Sequence, residues 1–329
     1  MSPNTVKEIV DHISSFNGDQ VPLEVTLEAN PMSIKRSDKS LLQDFRESGV
    51  NRMSIGVQSF DDSHLTFLER EHGSKEAIET IEHAKKVFGE RVSFDLMFSI
   101  PLQTVNHWRE QLKTAKQLEP SHISLYQLTL EKSTKLQRQF ERNEISFPSE
   151  EESAEMFEAA IESCKDMGMD QYEVSNFAKS GMESVHNLCY WNYECYLGCG
   201  PGAHSRLWKG NEDGYQVYSG IETPDPSTWM MQVESTSNGL RHMKKLSSLE
   251  RAEEYLLMGL RTREGVDLSP KALQEKTGQF TEFGDIVNIA TIHQLSQQGF
   301  VDWKDSESHL KVTKKGMMVL DTITSKIIK

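Results

Sequence analysis

Several features that would place a chain in a familiar class are scarce here. Cysteine occurs four times in 329 residues, at Cys164, Cys189, Cys195 and Cys199. So sparse and uneven a set does not make a disulfide framework, and a reducing compartment is the default. Positive charge is short as well: 36 Lys and Arg face 50 Asp and Glu, a formal net charge of −14. That balance argues against a protein held to nucleic acid by its phosphates. No apolar run is long enough to span a bilayer, and the start "MSPNTVKEIVDHI" is neither a signal peptide nor an arginine-rich transit peptide. The paired CxxC spacing of zinc sites and a dinucleotide-binding glycine fingerprint are also missing. The expectation is a soluble globular protein with one large domain and a smaller one.

What is present is a rhythm. Ser2-Pro3 reads as a cap and a first-turn proline, and Val6, Ile9, Val10 and Ile13 then share one helical face. "LEVTLEANP" (23–31) reads as a strand, and 37–48 as a helix with Leu41, Leu42 and Phe45 inward and Gly49 as its stop. The unit recurs with "RMSIGVQSF" (52–60) and a helix through Ala77, Ile78, Ile81, Ala84 and Val87. It recurs again with "RVSFDLMFSIP" (91–101) and a helix through Trp108, Leu112, Ala115 and Leu118, before "HISLYQLTLE" (122–131). Ser149 and Glu152 form a capping box for a helix through Met156, Phe157, Ala160, Ile161 and Cys164, and "QYEVSNFA" (171–178) reads as one more strand. Strands alternating with helices predict an α/β fold of parallel βαβ units, a barrel or an open sheet. From about residue 220, "IETPDPSTW" reads as a linker, dividing the chain into domains 1–219 and 220–329. The second would be a small helical domain in which "GFVDWKDSESHLKVT" is a hairpin, a winged-helix-like pattern suited in an acidic chain to protein contact or a lid.

Sites of such folds lie at the carboxyl ends of the strands, where Glu28, Gln58 and Asp95 fall. Arg70, in "FLERE", could clamp a carboxylate from the helix that follows. Each of these also reads singly as a surface or capping residue; convergence from several strands is what marks them. A second concentration is "HNLCYWNYECYLGCGPGAHS" (186–205). Its cysteines match neither zinc nor iron-sulfur spacings, and Cys164, on an apolar helix face, reads as a buried structural thiol. His186, with Asn187, Tyr190 and Trp191, offers an imidazole beside flat arenes, which suits a planar macrocycle whose iron the nitrogen could ligate. The alternative has His186 bonding a backbone carbonyl while Tyr190 and Trp191 fill core, and spacing alone favours it.

The ordered set "EVTLEANP", "GVNRMSIGVQSFDD", "LEREH", "FDLMFSIP", "HISLYQLTLE", "QYEVSNFA" and "HNLCYWNYECYLGCGPGAHS" resembles one branch of the radical S-adenosylmethionine family. That branch includes oxygen-independent coproporphyrinogen III oxidase and its haem-chaperone relatives. The resemblance implies that Glu28 contacts S-adenosylmethionine and that Gln58, Arg70 and Asp95 contact a second such molecule. It implies that HNxxYW, here His186, Asn187, Tyr190 and Trp191, is a haem-binding motif with His186 as candidate iron ligand. Haem-accepting partner proteins and a mitochondrial location follow from the same resemblance; otherwise the location would be cytoplasmic.

The resemblance also has a gap. Family members carry a CxxxCxxC strand and a glycine-rich loop before the segment that matches "SPNTV", and here the chain starts at that segment. The expectation is an incomplete radical-SAM (β/α) barrel without its first two βα units. It would lack the thiolates of a [4Fe-4S] cluster, bind S-adenosylmethionine weakly if at all, and perform no radical chemistry alone. A partner could cover the edge of "LEVTLEANP". The primary expectation is therefore a haem chaperone. The alternatives are an oxidase-like radical enzyme in full-length form and a scaffold that binds nothing.

Overall fold

Alternation of apolar and polar residues sets the architecture of the first 183 residues. The computed structural model describes residues 1–17, 24–35, 40–211, 214–280, 282–303 and 308–329. The chain divides into two compact units, Met1–Glu183 and Ser184–Lys329. In the first, the order is α1 (Pro3–Asn17), β1 (Thr26–Ala29), α2 (Pro31–Lys35), α3 (Leu41–Glu47), β2 (Arg52–Gln58), α4 (Asp62–Phe67), α5 (Ser74–Phe88), β3 (Val92–Phe98) and α6 (Val105–Gln117). Then come β4 (His122–Gln127), α7 (Lys135–Glu141), α8 (Glu150–Asp166), β5 (Asp170–Glu173) and β6 (Asn176–Ala178). Positions 37–39 of the helix expected over 37–48 and Leu23 of the first strand lie outside the described residues.

Strands β1 to β4 pair in parallel and in chain order. One face of this sheet is apolar: Met53, Ile55, Val57, Phe94, Leu96, Phe98, Ile123 and Leu125 share a core with Ala77, Ile81 and Ala84 of α5, Trp108 and Leu112 of α6, and Met156, Ala160 and Cys164 of α8. Because side chains alternate along a strand, the intervening residues Glu28, Ser54, Asp95 and Ser124 occupy the opposite face. The expected capping box is present: Ser149 Oγ accepts from the Glu152 amide at 3.1 Å and the Glu152 carboxylate accepts from the Ser149 amide at 2.8 Å. Cys164 is buried as expected, and burial holds its thiol far above its ordinary pKa.

The all-parallel expectation fails at one place. "QYEVSNFA" is a hairpin, β5 and β6, and β6 runs antiparallel to β4. The chain reverses at Val174-Ser175, where Gln171 Nε2 donates to the Val174 carbonyl at 2.9 Å and the Ser175 amide to Glu173 Oε1 at 3.3 Å. Two side chains that hydrogen-bond within the turn stabilise a reversal that the strand pattern alone conceals.

The second unit contains α9 (Val185–Trp191), β7 (His204–Asn211), β8 (Gly214–Glu222), α10 (Pro226–Thr236), β9 (Leu240–Lys245), α11 (Ser248–Gly259), β10 (Val266–Asp267) and α12 (Pro270–Thr277). It continues through α13 (Ile289–Gln297), β11 (Val301–Asp302), β12 (His309–Val312), α14 (Lys314–Met317) and α15 (Leu320–Ile327). Antiparallel β7-β8-β9 and β10-β12-β11 form its two small sheets. Position 219/220, read as the start of a linker, lies inside β8, which pairs on both sides. Its "TPDPSTW" is a helix start: Asp225 Oδ1 accepts from the Thr228 amide at 2.8 Å, and Pro226 takes the first helical position. Glu254 of α11 fastens this unit together, accepting from Arg206 Nε and Nη2 at 3.0 and 2.7 Å and from the Tyr193 hydroxyl at 3.0 Å.

Candidate functional site

Strand register builds a polar row across the sheet of the first unit. Glu28 is level with Ser54, Ser54 with Ser93, Asp95 with Ser124, and Ser124 with Asn176. Asp95 lies on the same face as Glu28 and within reach of its charge. Burial first, and then the Glu28 charge, push its pKa up to about 6, while hydrogen bonds to Ser124 and Ser54 pull the other way. Tyr126 completes the row: burial raises its pKa, aided by Asp95, and it hydrogen-bonds with Ser124 and Asn176. Asn176 donates to Glu173 Oε1 and leaves Oδ1 buried with no partner among the described residues. Such a row favours a ligand that brings cationic or N–H groups.

Gln58 ends β2 in the left-handed region, φ 70°. Its Nε2 lies 3.0 Å from where a Cβ on Gly56 would stand, so the missing side chain at Gly56 lets the amide fold back over the strand. Arg70 lies in the turn between α4 and α5, not on a helix, and is exposed; its amide donates to the Leu65 carbonyl at 2.9 Å. The structure thus joins Glu28 and Asp95 electrostatically, places Gln58 at the end of the neighbouring strand, and puts Arg70 on an exposed turn. Ser54, Ser124, Tyr126 and Asn176 were not singled out from the sequence. For the first three the signal was the polar phase of "RMSIGVQ" and "HISLYQ", visible only once the apolar phase is assigned to the core; Asn176 lies in the hairpin that the strand pattern concealed.

At the opposite end of the same face sits a more deeply buried set. Arg52, 3% exposed, bonds the carbonyls of Met182 and Glu183 at 2.9 and 3.1 Å and pairs with Glu24 at 3.3 Å. His122 contacts the Tyr172 hydroxyl at 2.7 Å, and burial followed by the Arg52 charge drives its pKa down to about 3. These groups order the sheet. A cavity of about 620 Å³ opens elsewhere in the unit, lined by His64, Phe67, Leu102 and His107 among others, and contains none of the expected site residues.

The second candidate is α9, a helix of seven residues. His186 occupies the first turn of a helix capped by Ser184, whose Oγ accepts from the Asn187 amide at 3.3 Å. His186 is exposed and its ring meets Tyr190 edge-on at 4.7 Å, the separation of one helical turn. Tyr190 in turn meets Tyr196 at 4.4 Å, and Arg261 lies over the Trp191 ring at 5.5 Å. Asn187, Tyr190 and Trp191 are partly buried. Lys276 donates to the Asn192 carbonyl at 3.1 Å, satisfying the end of α9. The helix therefore presents an open imidazole on a surface supported by arenes, rather than the packed core that spacing alone favoured.

Comparison with known proteins agrees with this division. The Radical SAM superfamily model matches residues 3–115 and the HemN C-terminal domain model residues 246–319. Radical S-adenosyl methionine domain-containing protein 1, mitochondrial, of Danio rerio is 37% identical over 99% of this chain and 72% of its own length. The protein of that name from Bos taurus is 37% identical over 98% of this chain and 71% of its length. Heme chaperone HemW of Bacillus subtilis is 32% identical over 97% of this chain and 80% of its length. Coproporphyrinogen III oxidase (HemN) from Escherichia coli, described as a radical SAM enzyme, shares the fold at a TM-score of 0.72 and 18% identity, over 97% of this chain and 74% of that one. A HemN-like radical SAM α/β fold with a mixed sheet and a C-terminal domain, joined to 37% identity over almost every residue, shows that this chain belongs to the family of radical S-adenosyl methionine domain-containing protein 1 and the HemW heme chaperones.

Proposed function

We propose that this chain binds haem and delivers it to acceptor proteins; His186 would ligate the haem iron, Asn187 would orient the imidazole, and Tyr190 and Trp191 would offer arene faces to the macrocycle. The supporting observation is the exposed imidazole on α9, set against Tyr190 at 4.7 Å. A sealed histidine could not meet so broad a guest. HemW relatives are named heme chaperones and the animal relatives are named mitochondrial, which points to a mitochondrial site of action. The test is titration of haem into the purified chain and its His186→Ala variant. Loss of the shifted Soret band and affinity weaker by about tenfold or more are expected in the variant. An unchanged spectrum and affinity would reject the ligand.

The polar row supports a second role, S-adenosylmethionine held by Glu28, Gln58, Arg70 and Asp95. Buried Asp95 beside Glu28 suits a sulfonium or ammonium group, and the exposed Arg70 guanidinium suits a carboxylate. When bound in a radical enzyme this cofactor supplies a carbon radical precursor. The [4Fe-4S] cluster such chemistry needs does not fit the four cysteines of this sequence. Cys164 is core, and Cys189, Cys195 and Cys199 belong to the other unit. Among the described residues no three His, Cys, Asp or Glu are grouped to hold a metal. We assign no radical step to the chain; a stable [4Fe-4S] cluster after anaerobic reconstitution with iron and sulfide would reverse that assignment.

Within this reading β1 to β4 are an arc of an incomplete radical-SAM barrel whose β1 edge takes a covering partner. The barrel part would lie in Met1–Glu183, and the haem-motif extension would open the second unit, Ser184–Lys329, whose sheet β10-β12-β11 would belong to a winged-helix-like module for contact with acceptors. A scaffold that binds nothing would give no haem signal and no S-adenosylmethionine binding.

A further inference from the structure

Two cysteines on and beside α9 have no part in the proposed function. Cys189 sits on α9 between Asn187 and Tyr190, half-buried, and its thiol donates to the Cys195 carbonyl at 3.5 Å. A second bond closes the same turn from the other side, the Glu194 amide donating to the Cys189 carbonyl at 3.0 Å. Cys195 is exposed. Its sulphur accepts from the Trp208 amide, and the next residue, Tyr196, bridges to Arg206, so its position is fixed against β7. Each thiol lies above its ordinary pKa. Burial is the leading cause for both, with the Glu194 charge adding to it, and Cys195 further raises Cys189. They are therefore protonated at neutral pH, unlike an activated catalytic thiolate. No metal-ligating group of three or more includes them among the described residues, and neither is a core thiol like Cys164.

We propose that Cys189 and Cys195 form a redox pair that closes to a disulfide when the chain meets a peroxide. The Cys195 thiol gives its proton to solvent, the thiolate attacks one peroxide oxygen, and the O–O bond breaks; the leaving hydroxide takes a proton from solvent and departs as water, giving a sulfenic acid. The Cys189 sulphur then attacks the Cys195 sulphur, the S–O bond breaks and a second water leaves. The two thiols lose two electrons and two protons, and the peroxide is reduced to water. The two hydrogen bonds hold both residues in one turn, close enough for the Cys195 thiol to act on Cys189 electrostatically. Because little thiolate is present at neutral pH, closure is slow against weak oxidants. The product ties α9 to the segment entering β7 and holds Tyr190 against Tyr196. This goes beyond the haem reading, since the bond forms whether or not haem is present.

The test treats the full chain with hydrogen peroxide, unfolds it in urea, alkylates the remaining thiols with iodoacetamide, and maps peptides by mass without reduction. The expected product is a single crosslink between the Cys189 and Cys195 peptides, a mass loss of about 2 Da reversed by dithiothreitol. Cys164 and Cys199 remain alkylated. Cys195→Ser and Cys189→Ala should each abolish the loss with far-UV circular dichroism unchanged, and Cys199→Ser should retain it. A crosslink through Cys199, or sulfinic acid at Cys195 with Cys189 still alkylated, would overturn the proposal.

Discussion

The polar row of the sheet and the helix α9 make opposite demands on their surroundings. The row buries a carboxylate beside another carboxylate, and the cost is visible in Asp95, held at a pKa of about 6. Helix α9 exposes its imidazole and rests its arenes on one another. A charged site is thus marked by the strain it places on the fold, whereas an aromatic site is marked only by what it leaves open. Stability measurements should therefore respond to the first region and ligand measurements to the second.

The largest effect should come from the apolar side of the sheet. Trp108 is fully buried, packs on Phe98 at 5.5 Å and donates from Nε1 to the Met156 carbonyl at 2.9 Å. Trp108→Ala should cost about 3–5 kcal/mol in urea unfolding followed by circular dichroism. On the polar side the sign reverses. Because the folded pKa of Asp95 is raised, its stabilising contribution is full at low pH and falls as pH climbs from the unfolded value near 3.8 through about 6. Asp95→Asn should then add about 3 kcal/mol at pH 7.5 and nothing near pH 3. An Asn variant that destabilises at pH 7.5 would break the contrast between the two regions.

Smaller effects sharpen it. Ser149→Ala removes the cap of α8 and should cost about 1 kcal/mol by the same measurement. His186→Ala should shift stability by less than about 0.5 kcal/mol, because the side chain is exposed, while removing the haem signal. If that variant unfolds the chain, α9 is a packing element and the distinction collapses.

Much of the sheet was legible because its apolar residues keep two periods at once, alternate along β2 and β3 and helical along α5 and α6. The capping box at Ser149 and the burial of Cys164 were legible for the same reason, a local pattern with one good structural solution. The hairpin at Val174-Ser175 was not, because "QYEVSNFA" holds no glycine or proline at the turn and side-chain bonds from Gln171 and Glu173 do that work. The "TPDPSTW" segment misled through its prolines, which start α10 instead of marking a linker. Glu28 and Gln58 were readable as polar residues at or next to strand ends, whereas Asp95, expected at a strand end, lies in the middle of β3, and its raised pKa depends on spacing across strands, which no linear pattern carries. The open position of His186 was equally hidden, since its seven-residue helix is too short to reveal an outer face.

The fork between Glu254, Arg206 and Tyr193 bears on how inherited variants would present. One carboxylate anchors a strand, a helix and a phenol, so its replacement would strand a guanidinium and a hydroxyl that are both mostly hidden from water. Carriers of such a change would show scarce protein cleared by quality-control proteases, not a normal quantity of protein with a selective defect.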